Sequence, residues 1–249
     1  MGRIFDPHYH TVQSDGDSTI LESIAAAYRK GLAALIITDH INNFGYMESY
    51  RLNRKIMSLI RPDETQGQQP VIIGMEFGLP EKISKRENGE RKEVLIFGTE
   101  ICEAIQGNLP EINEFDLAEF KKLKEKYDCA IVQCHPQKEA RSIDERILQI
   151  IDGCEITKIG NAHYNYEAIQ KDCEKHRITP IASSDGHVAY RDPRLVYEVT
   201  PYLGKAYNIA SIDINNEKDL IKAIKENLIE KRIFQKRDYR DEREPVPYA

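Results

Sequence analysis

The sequence has no hydrophobic run long enough to cross a membrane. Its longest apolar runs, such as residues 33–37, fall far short of the roughly 20 residues that a spanning helix requires. The basic start, apolar stretch and cleavage site of a secretory signal are also missing from the first residues. We therefore expect a cytoplasmic protein with no membrane partner.

The sequence also lacks a disulfide pattern and an excess of positive charge. No two of the five cysteines form a CxxC pair, and five cannot all pair with one another, which is typical of a reducing compartment. We expect most of them to be buried thiols. The formal net charge of -6 would repel a long polyanion, so duplex nucleic acid is a disfavoured partner.

What is present is a regular alternation of short β-rich segments and helical patterns. The predicted strands are 3–10, 33–40, 70–76, 93–98, 129–135, 153–156 and 179–184. The predicted helices are about 18–30, 47–60, 114–126, 142–151, 162–176 and 216–230. This alternation is typical of βα units with parallel strands. We expect one α/β domain over 1–249, closed or nearly closed into a barrel, with a charged C-terminal tail at about 231–249.

Histidines collect where predicted strands end. Five of the seven lie in the strings HYH, TDH, QCHP and SSDGH. His8 and His10 are two residues apart on a strand, so their side chains face the same way. Asp15, Asp39 and Glu76 lie at or just beyond strand ends. Strand ends converge in a parallel barrel, so these side chains should lie close together. Mixed imidazole and carboxylate ligands favour zinc, manganese or iron. There are too many ligands for one ion, so we predict a site with more than one.

The motifs together resemble a known family. HYHTVQSDGDSTI, ALIITDH, GMEFG, AIVQCHP and IASSDGH follow one another in the order found in the polymerase and histidinol phosphatase (PHP) superfamily, over nearly the whole chain. The resemblance implies a distorted (β/α)7 barrel that carries two or three divalent ions. It also implies phosphoesterase activity, which is what most characterised members of the family have.

The resemblance also implies a set of metal ligands. One ion would lie among His8, His10, Glu76 and Asp185. A second would be held by Asp15, His40 and His187. A third would lie between Glu76 and His135, where the family supplies another histidine.

That last histidine is missing from this chain. No histidine occurs from position 41 to 134, and Glu93 is the best replacement. A carboxylate there would lower the affinity of the third site and shift its preference towards manganese or iron. The alternative is that Glu93 is only a surface carboxylate.

Several residues near these motifs are not expected to be metal ligands. By strand alternation, Asp39 should point away from His40 and Cys134 away from His135. His176 should lie at the opposite end of the barrel, and the role of Glu155 is left open.

Two arginines could bind substrate. Arg191 and Arg194 follow the last metal motif and could hold phosphate oxygens in a guanidinium fork, although either could be an ordinary surface residue.

The function expected from these residues is hydrolysis of a small phosphomonoester by a metal-activated hydroxide, with no protein nucleophile. The alternatives are an exonuclease or proofreading phosphodiesterase, and a non-catalytic metal-binding module. The crowding of Asp15, Glu76 and Asp185 further predicts a raised pKa for at least one carboxyl group.

Overall fold

A computed structural model of the chain describes residues 2–60, 69–84, 91–136, 143–156, 166–189 and 203–234. Strands and helices alternate, so the fold is α/β as predicted. The strands are β1 Ile4–Phe5, β2 Leu35–Ile37, β3 His40–Ile41, β4 Val71–Ile73, β5 Met75–Gly78, β6 Glu93–Phe97, β7 Ala130–Gln133, β8 Gly153–Glu155, β9 Thr179–Ile181, β10 Ala206–Ala210 and β11 Ile229–Phe234. The helices are α1 Ile20–Arg29, α2 Ser49–Leu59, α3 Thr99–Gly107, α4 Leu109–Ile112, α5 Leu117–Lys126, α6 Tyr166–His176 and α7 Glu217–Lys225.

Helix α1 shows how the local sequence sets an element. Thr19 and Glu22 form a reciprocal capping box that satisfies backbone N–H groups at the first turn. Ile20, Ile24 and Ala27 follow at helical spacing and are all buried, so this face packs towards β2.

Six strands form the main sheet, in the order β3-β5-β6-β7-β8-β9. The pairs β3–β5, β7–β8 and β8–β9 are parallel, but β6 is antiparallel to both β5 and β7. The prediction of parallel strands throughout was therefore wrong for β6. Its reversal has a consequence for the site, because Glu93 begins β6 opposite Gly78 and so lies where the neighbouring strands end.

The HYH segment joins this sheet to its first elements. Tyr9 forms a single parallel bridge with Gly186, and its carbonyl accepts a 2.9 Å hydrogen bond from the Thr38 backbone N–H. The His10 N–H donates to the Gly186 carbonyl at 2.8 Å. These bonds place HYH between the TDH and SSDGH motifs.

Other elements depart from the prediction in local ways. The expected helix at 142–151 is reduced to a 3-10 turn, Glu145–Ile147, within the described residues from 143 onward. Helices α3 and α4 were not predicted. Strands β1, β10 and β11 form a separate antiparallel sheet, and β11 includes the first residues, 231–234, of the segment predicted as a charged tail.

The core confirms the apolar strand pattern. Leu35, Ile36 and Ile37 are fully buried. Truncating such a residue to alanine costs about 2–5 kcal/mol of folding free energy. All five cysteines are buried and free, as expected. No described helix has the length and apolar character that a membrane span requires.

Candidate metal centre

All nine predicted ligands lie in the part of the chain that the structure describes, and close pairs of side-chain atoms link them into one cluster. Three of them lie in strands β3, β5 and β6, and the other six lie in segments between the named strands. The nine are His8, His10, Asp15, His40, Glu76, Glu93, His135, Asp185 and His187.

Glu76 lies at the centre of this cluster. Its side chain is fully buried, although it is an acid in an otherwise apolar strand. Its Oε2 atom lies 3.2 Å from His8 Nε2, 3.3 Å from His10 Nε2 and 3.0 Å from His40 Nδ1, and its Oε1 atom lies 2.9 Å from His135 Nε2. By hydrogen-bond geometry neither oxygen has a partner among the described residues.

The outer edge of the cluster is formed by residues from two loops. Asp15 Oδ2 lies 3.2 Å from His187 Nε2 and 3.4 Å from His40 Nε2. The side chains of Asp15 and His187 are 36% and 23% exposed, whereas His10 between them and Glu76 is fully buried. Asp185 Oδ1 lies 3.4 Å from His10 Nε2 and closes the cluster from the last motif.

Glu93 belongs to the cluster, but beside a different neighbour than the resemblance implied. It is 2% exposed, and its Oε1 atom lies 3.0 Å from His40 Nδ1. The Asn43 side-chain amide donates a 2.8 Å hydrogen bond to the same oxygen. The sequence grouped Glu93 with His135, whereas this geometry places it with His40 and Glu76.

Glu155 has a role that the sequence left open. It is fully buried, and its Oε1 atom lies 2.6 Å from His8 Nδ1. Ser183 donates to this oxygen at 2.7 Å, and the His135 backbone N–H donates to Oε2 at 2.8 Å. Glu155 therefore fixes the ring of His8 so that Nε2 faces Glu76. A physical signal was available in the sequence, because an acid within a predicted buried strand is costly unless its charge is paired.

Strand alternation holds for Asp39 and fails for Cys134. Asp39 accepts hydrogen bonds from the Thr11 N–H at 2.7 Å and from the Asn53 amide at 2.7 Å, which confirms its structural role. Cys134 was predicted to face away from His135, and this is wrong, because its sulfur lies within 4.8 Å of donor atoms of His135 and neighbouring residues. The cause is the backbone of His135, whose φ of 28° breaks the alternation after β7 ends.

The carboxylates of this cluster favour the protonated rings of His8, His10 and His40. Burial opposes a charged ring, but Glu76 and Glu155 outweigh it and raise the pKa of His8 well above its usual value. The pKa of His40 is raised in the same way by Glu76 and Asp15. Burial would raise the pKa values of Glu76, Glu155 and Asp15, yet the adjacent imidazoles lower all three. The raised carboxyl pKa expected among Asp15, Glu76 and Asp185 is therefore wrong for Asp15 and Glu76, because histidines separate the like charges.

The donor set fits divalent metal ions. Its nitrogen and oxygen atoms form groups within 4.8 Å of one another, including His8 with His10 and Glu76, and His10 with Asp15 and His187. Buried atoms without hydrogen-bond partners among the described residues include His40 Nδ1, His135 Nδ1 and both Glu76 oxygens. Buried polar atoms are rarely left unpaired, so a cation is the natural partner for them. Imidazole and carboxylate donors suit zinc, manganese or iron.

Arg191 and Arg194 fall outside the described residues. His176 is the last residue of α6 and precedes the start of β9, whereas the cluster lies beyond the end of β9, which confirms that it is remote.

Several solved structures share the fold of this chain. A candidate metal-dependent phosphoesterase from Bifidobacterium adolescentis is 16% identical, with a TM-score of 0.51 over 88% of this chain and 94% of that one. PsfC from Pseudomonas syringae is 15% identical, with a TM-score of 0.59 over 94% and 93%. The lesion-specific endonuclease EndoQ from Pyrococcus furiosus is 16% identical, with a TM-score of 0.58 over 89% of this chain and 55% of that one.

These likenesses show a shared fold. A search of curated proteins returned no match. The family model for the PHP domain matches residues 6–242, which is nearly the whole sequence. The chain belongs to the PHP domain family.

Proposed function

We propose that the protein is a metal-dependent hydrolase of small phosphomonoesters that works in the cytoplasm with two or three zinc, manganese or iron ions. The observation that carries this is Glu76, a buried carboxylate whose two oxygens lack hydrogen-bond partners among the described residues and face four imidazoles. We further propose that the strands close into the distorted seven-stranded barrel of the PHP type. The backbone bonds of residues 9 and 10 to Thr38 and Gly186 support that closure.

The predicted ligands would hold ions at different places in the cluster. His8, His10 and Glu76 would hold an ion in the buried part of the cluster, with Asp185 beside them. Asp15, His40 and His187 would hold a second at the exposed edge, where substrate can enter. Glu93 and His135 would complete further coordination around Glu76. Ions bound there would lower the pKa of water towards about 7, supply hydroxide and neutralise phosphate oxygens.

This arrangement needs no protein nucleophile. Glu155 holds His8 in one orientation, so the buried donors need not reorganise when ions and substrate bind. Arg191 and Arg194 are proposed to bind the phosphate oxygens. Cys134, although close, is a poor nucleophile, because burial and Glu76 raise the pKa of its thiol well above the usual range.

An exonuclease or proofreading-type phosphodiesterase is the second candidate. Its support is that EndoQ, an endonuclease and so also a nuclease, shares this fold. The net charge of -6 opposes this candidate, since a long polyanion would be repelled. A non-catalytic module is a weaker candidate, because structural sites are commonly closed cages for one ion, whereas Asp15 and His187 leave this cluster open at one edge.

A substrate screen tests the proposal. Protein reconstituted separately with manganese, iron and zinc would be given phosphomonoesters and, in parallel, single-stranded oligonucleotides with and without a 5′-phosphate. We expect inorganic phosphate from the monoesters and no shortening of the oligonucleotides, with chelated protein as the control. Shortening of oligonucleotides without monoester hydrolysis would establish the second candidate. No reaction with any metal or substrate would favour the non-catalytic module.

A further inference from the structure

An exposed aromatic residue stands beside the cluster in a backbone conformation that its side chain disfavours. Phe44 has a φ of 51° and is 54% exposed. The left-handed region is uncommon for residues other than glycine, asparagine and aspartate. An exposed phenylalanine there gains little from burial. A strained residue next to a functional site is a reason to look for a functional role.

The turn that carries Phe44 is held firmly. The Tyr46 N–H donates to the Asn43 carbonyl at 2.9 Å, and the Asn42 N–H donates to the Tyr46 carbonyl at 2.8 Å, which closes a tight turn around Phe44 and Gly45. The Asn43 side chain donates to Glu93 within the cluster. The position of Phe44 is thus fixed relative to the proposed metal ligands.

The aromatic rings of this turn flank one of those ligands. The Phe44 ring centroid lies 5.0 Å from that of His40, with an interplanar angle of 71°. The Tyr46 ring stacks on the same imidazole, with ring centroids 6.1 Å apart and an interplanar angle of 13°. At the tip of the turn, a Cβ atom built on Gly45 would meet nothing within 4 Å among the described residues. The Phe44 side chain, more than half exposed, therefore presents an aromatic surface at the edge of the cluster.

From this placement we propose that Phe44 is a specificity residue that packs against a planar aromatic ring in the leaving group of the substrate. The inference rests on the proposed phosphomonoesterase function. A phosphate held at the ligands beside His40 leaves the rest of the molecule to extend outward past the turn. An aromatic ring gains from stacked or edge-on contact with another ring beyond what equal apolar area provides.

Matched substrates test this directly. 2-Phenylethyl phosphate and 2-cyclohexylethyl phosphate have the same leaving-group chemistry and similar size, but only the first carries an aromatic ring. We expect metal-loaded wild-type protein to prefer the phenyl substrate in kcat/KM. Phe44→Leu should raise KM for the phenyl substrate roughly ten-fold and leave the cyclohexyl substrate within about two-fold, since leucine keeps apolar bulk but not the ring. Tyr28→Leu, which removes a 48% exposed aromatic on α1, should change neither.

A second pair identifies the kind of ring. Adenosine 5′-monophosphate and ribose 5-phosphate share the leaving oxygen and differ by the base, so a Phe44-dependent preference for the nucleotide would show that the ring is a nucleobase. A preference confined to the phenyl pair would show a simple aryl group.

Binding separates this inference from the proposed function. Calorimetry with 2-phenylethylphosphonate and 2-cyclohexylethylphosphonate needs no turnover, and Phe44→Leu should weaken only the first. An equal loss of kcat for both substrates in Phe44→Leu, with unchanged phosphonate binding, would mean that Phe44 shields the site, and the inference would be wrong. Hydrolysis of all substrates with no preference would also overturn it while leaving the proposed function standing. No hydrolysis of any monoester would overturn the proposed function, and the phosphonate result would then decide the inference by itself.

Discussion

The two halves of the cluster differ in how firmly they are built. The inner half, His8, His10 and Glu76, is fully buried, and Glu155 and Ser183 fix the ring of His8 from behind. The outer half, Asp15 and His187, comes from loops and is open to solvent. Buried donors with a fixed second layer are arranged before a ligand arrives, whereas exposed loop donors can move. We infer a permanent inner ion and a more exchangeable outer one.

His10→Ala should have the largest effect, because His10 belongs to the inner half and also contacts the outer half. Its Nε2 atom lies 3.3 Å from Glu76 and its Nδ1 atom 3.5 Å from Asp15. We expect a loss of turnover of at least about a thousand-fold and a loss of bound metal, with the fold retained. Steady-state assays, elemental analysis and circular dichroism measure the three quantities. His176→Ala is the matched control and should behave as wild type. Wild-type turnover in metal-replete His10→Ala protein would contradict the assignment of His10 to the metal centre.

Glu155→Gln should come next, since it keeps the size of the side chain but removes the charge behind His8. Carboxylates that orient a ligating histidine typically contribute 10–100-fold in metal affinity or activity. We expect weaker metal binding of about that size, measured by competition with a chelating dye. Unchanged affinity would mean that the 2.6 Å contact to His8 has no effect on the inner half.

His187→Ala distinguishes the halves from each other. Removing this 23% exposed ring should release the outer ion and leave the inner one, so the metal content should fall by about one ion per chain. In the wild type, stepwise chelation should remove metal in two phases. A single phase, or loss of all metal from His187→Ala, would show that the two halves bind as one unit.

Proton release gives a smaller, graded effect. The raised pKa values of His8, His10 and His40 mean that the metal-free cluster holds protons at neutral pH, and metal must displace them. Apparent metal affinity should rise with pH, about tenfold per unit for each proton displaced. Calorimetry in buffers of different ionisation enthalpy counts these protons. Metal binding with no proton release at pH 7 would contradict the assignment.

The same shifts set the stability of the metal-free protein. A histidine whose pKa is raised in the folded state contributes stability that is complete below about pH 6.5. This stability is lost as the pH rises through the pKa of the folded state. The lowered pKa values of Asp15 and Glu76 contribute stability above about pH 4 that is lost as pH falls. The contribution of this cluster to the stability of the metal-free protein should therefore be largest between about pH 4.5 and 6.5. Melting temperatures measured across this pH range test the prediction.

The sequence predicted the membership of the cluster better than its internal geometry. Strand-end histidines such as His40 and His135 could be found because strand ends meet in space, and their apolar strands are easily recognised. The reversal of β6 could not be found, because it depends on pairing between distant segments. That reversal explains why Glu93 reaches His40. The proximity of Cys134 to His135 could not be predicted for a local reason, because it depends on the positive φ of His135.

The most direct test of the account is anomalous X-ray diffraction from crystals of the manganese- or zinc-loaded protein. We expect at least two peaks: a strong one about 2.0–2.3 Å from His8, His10 and Glu76, and a weaker one near Asp15 and His187. Peaks confined to other parts of the molecule, or no peak in crystals shown to contain the metal, would contradict the claim that this cluster is a metal centre.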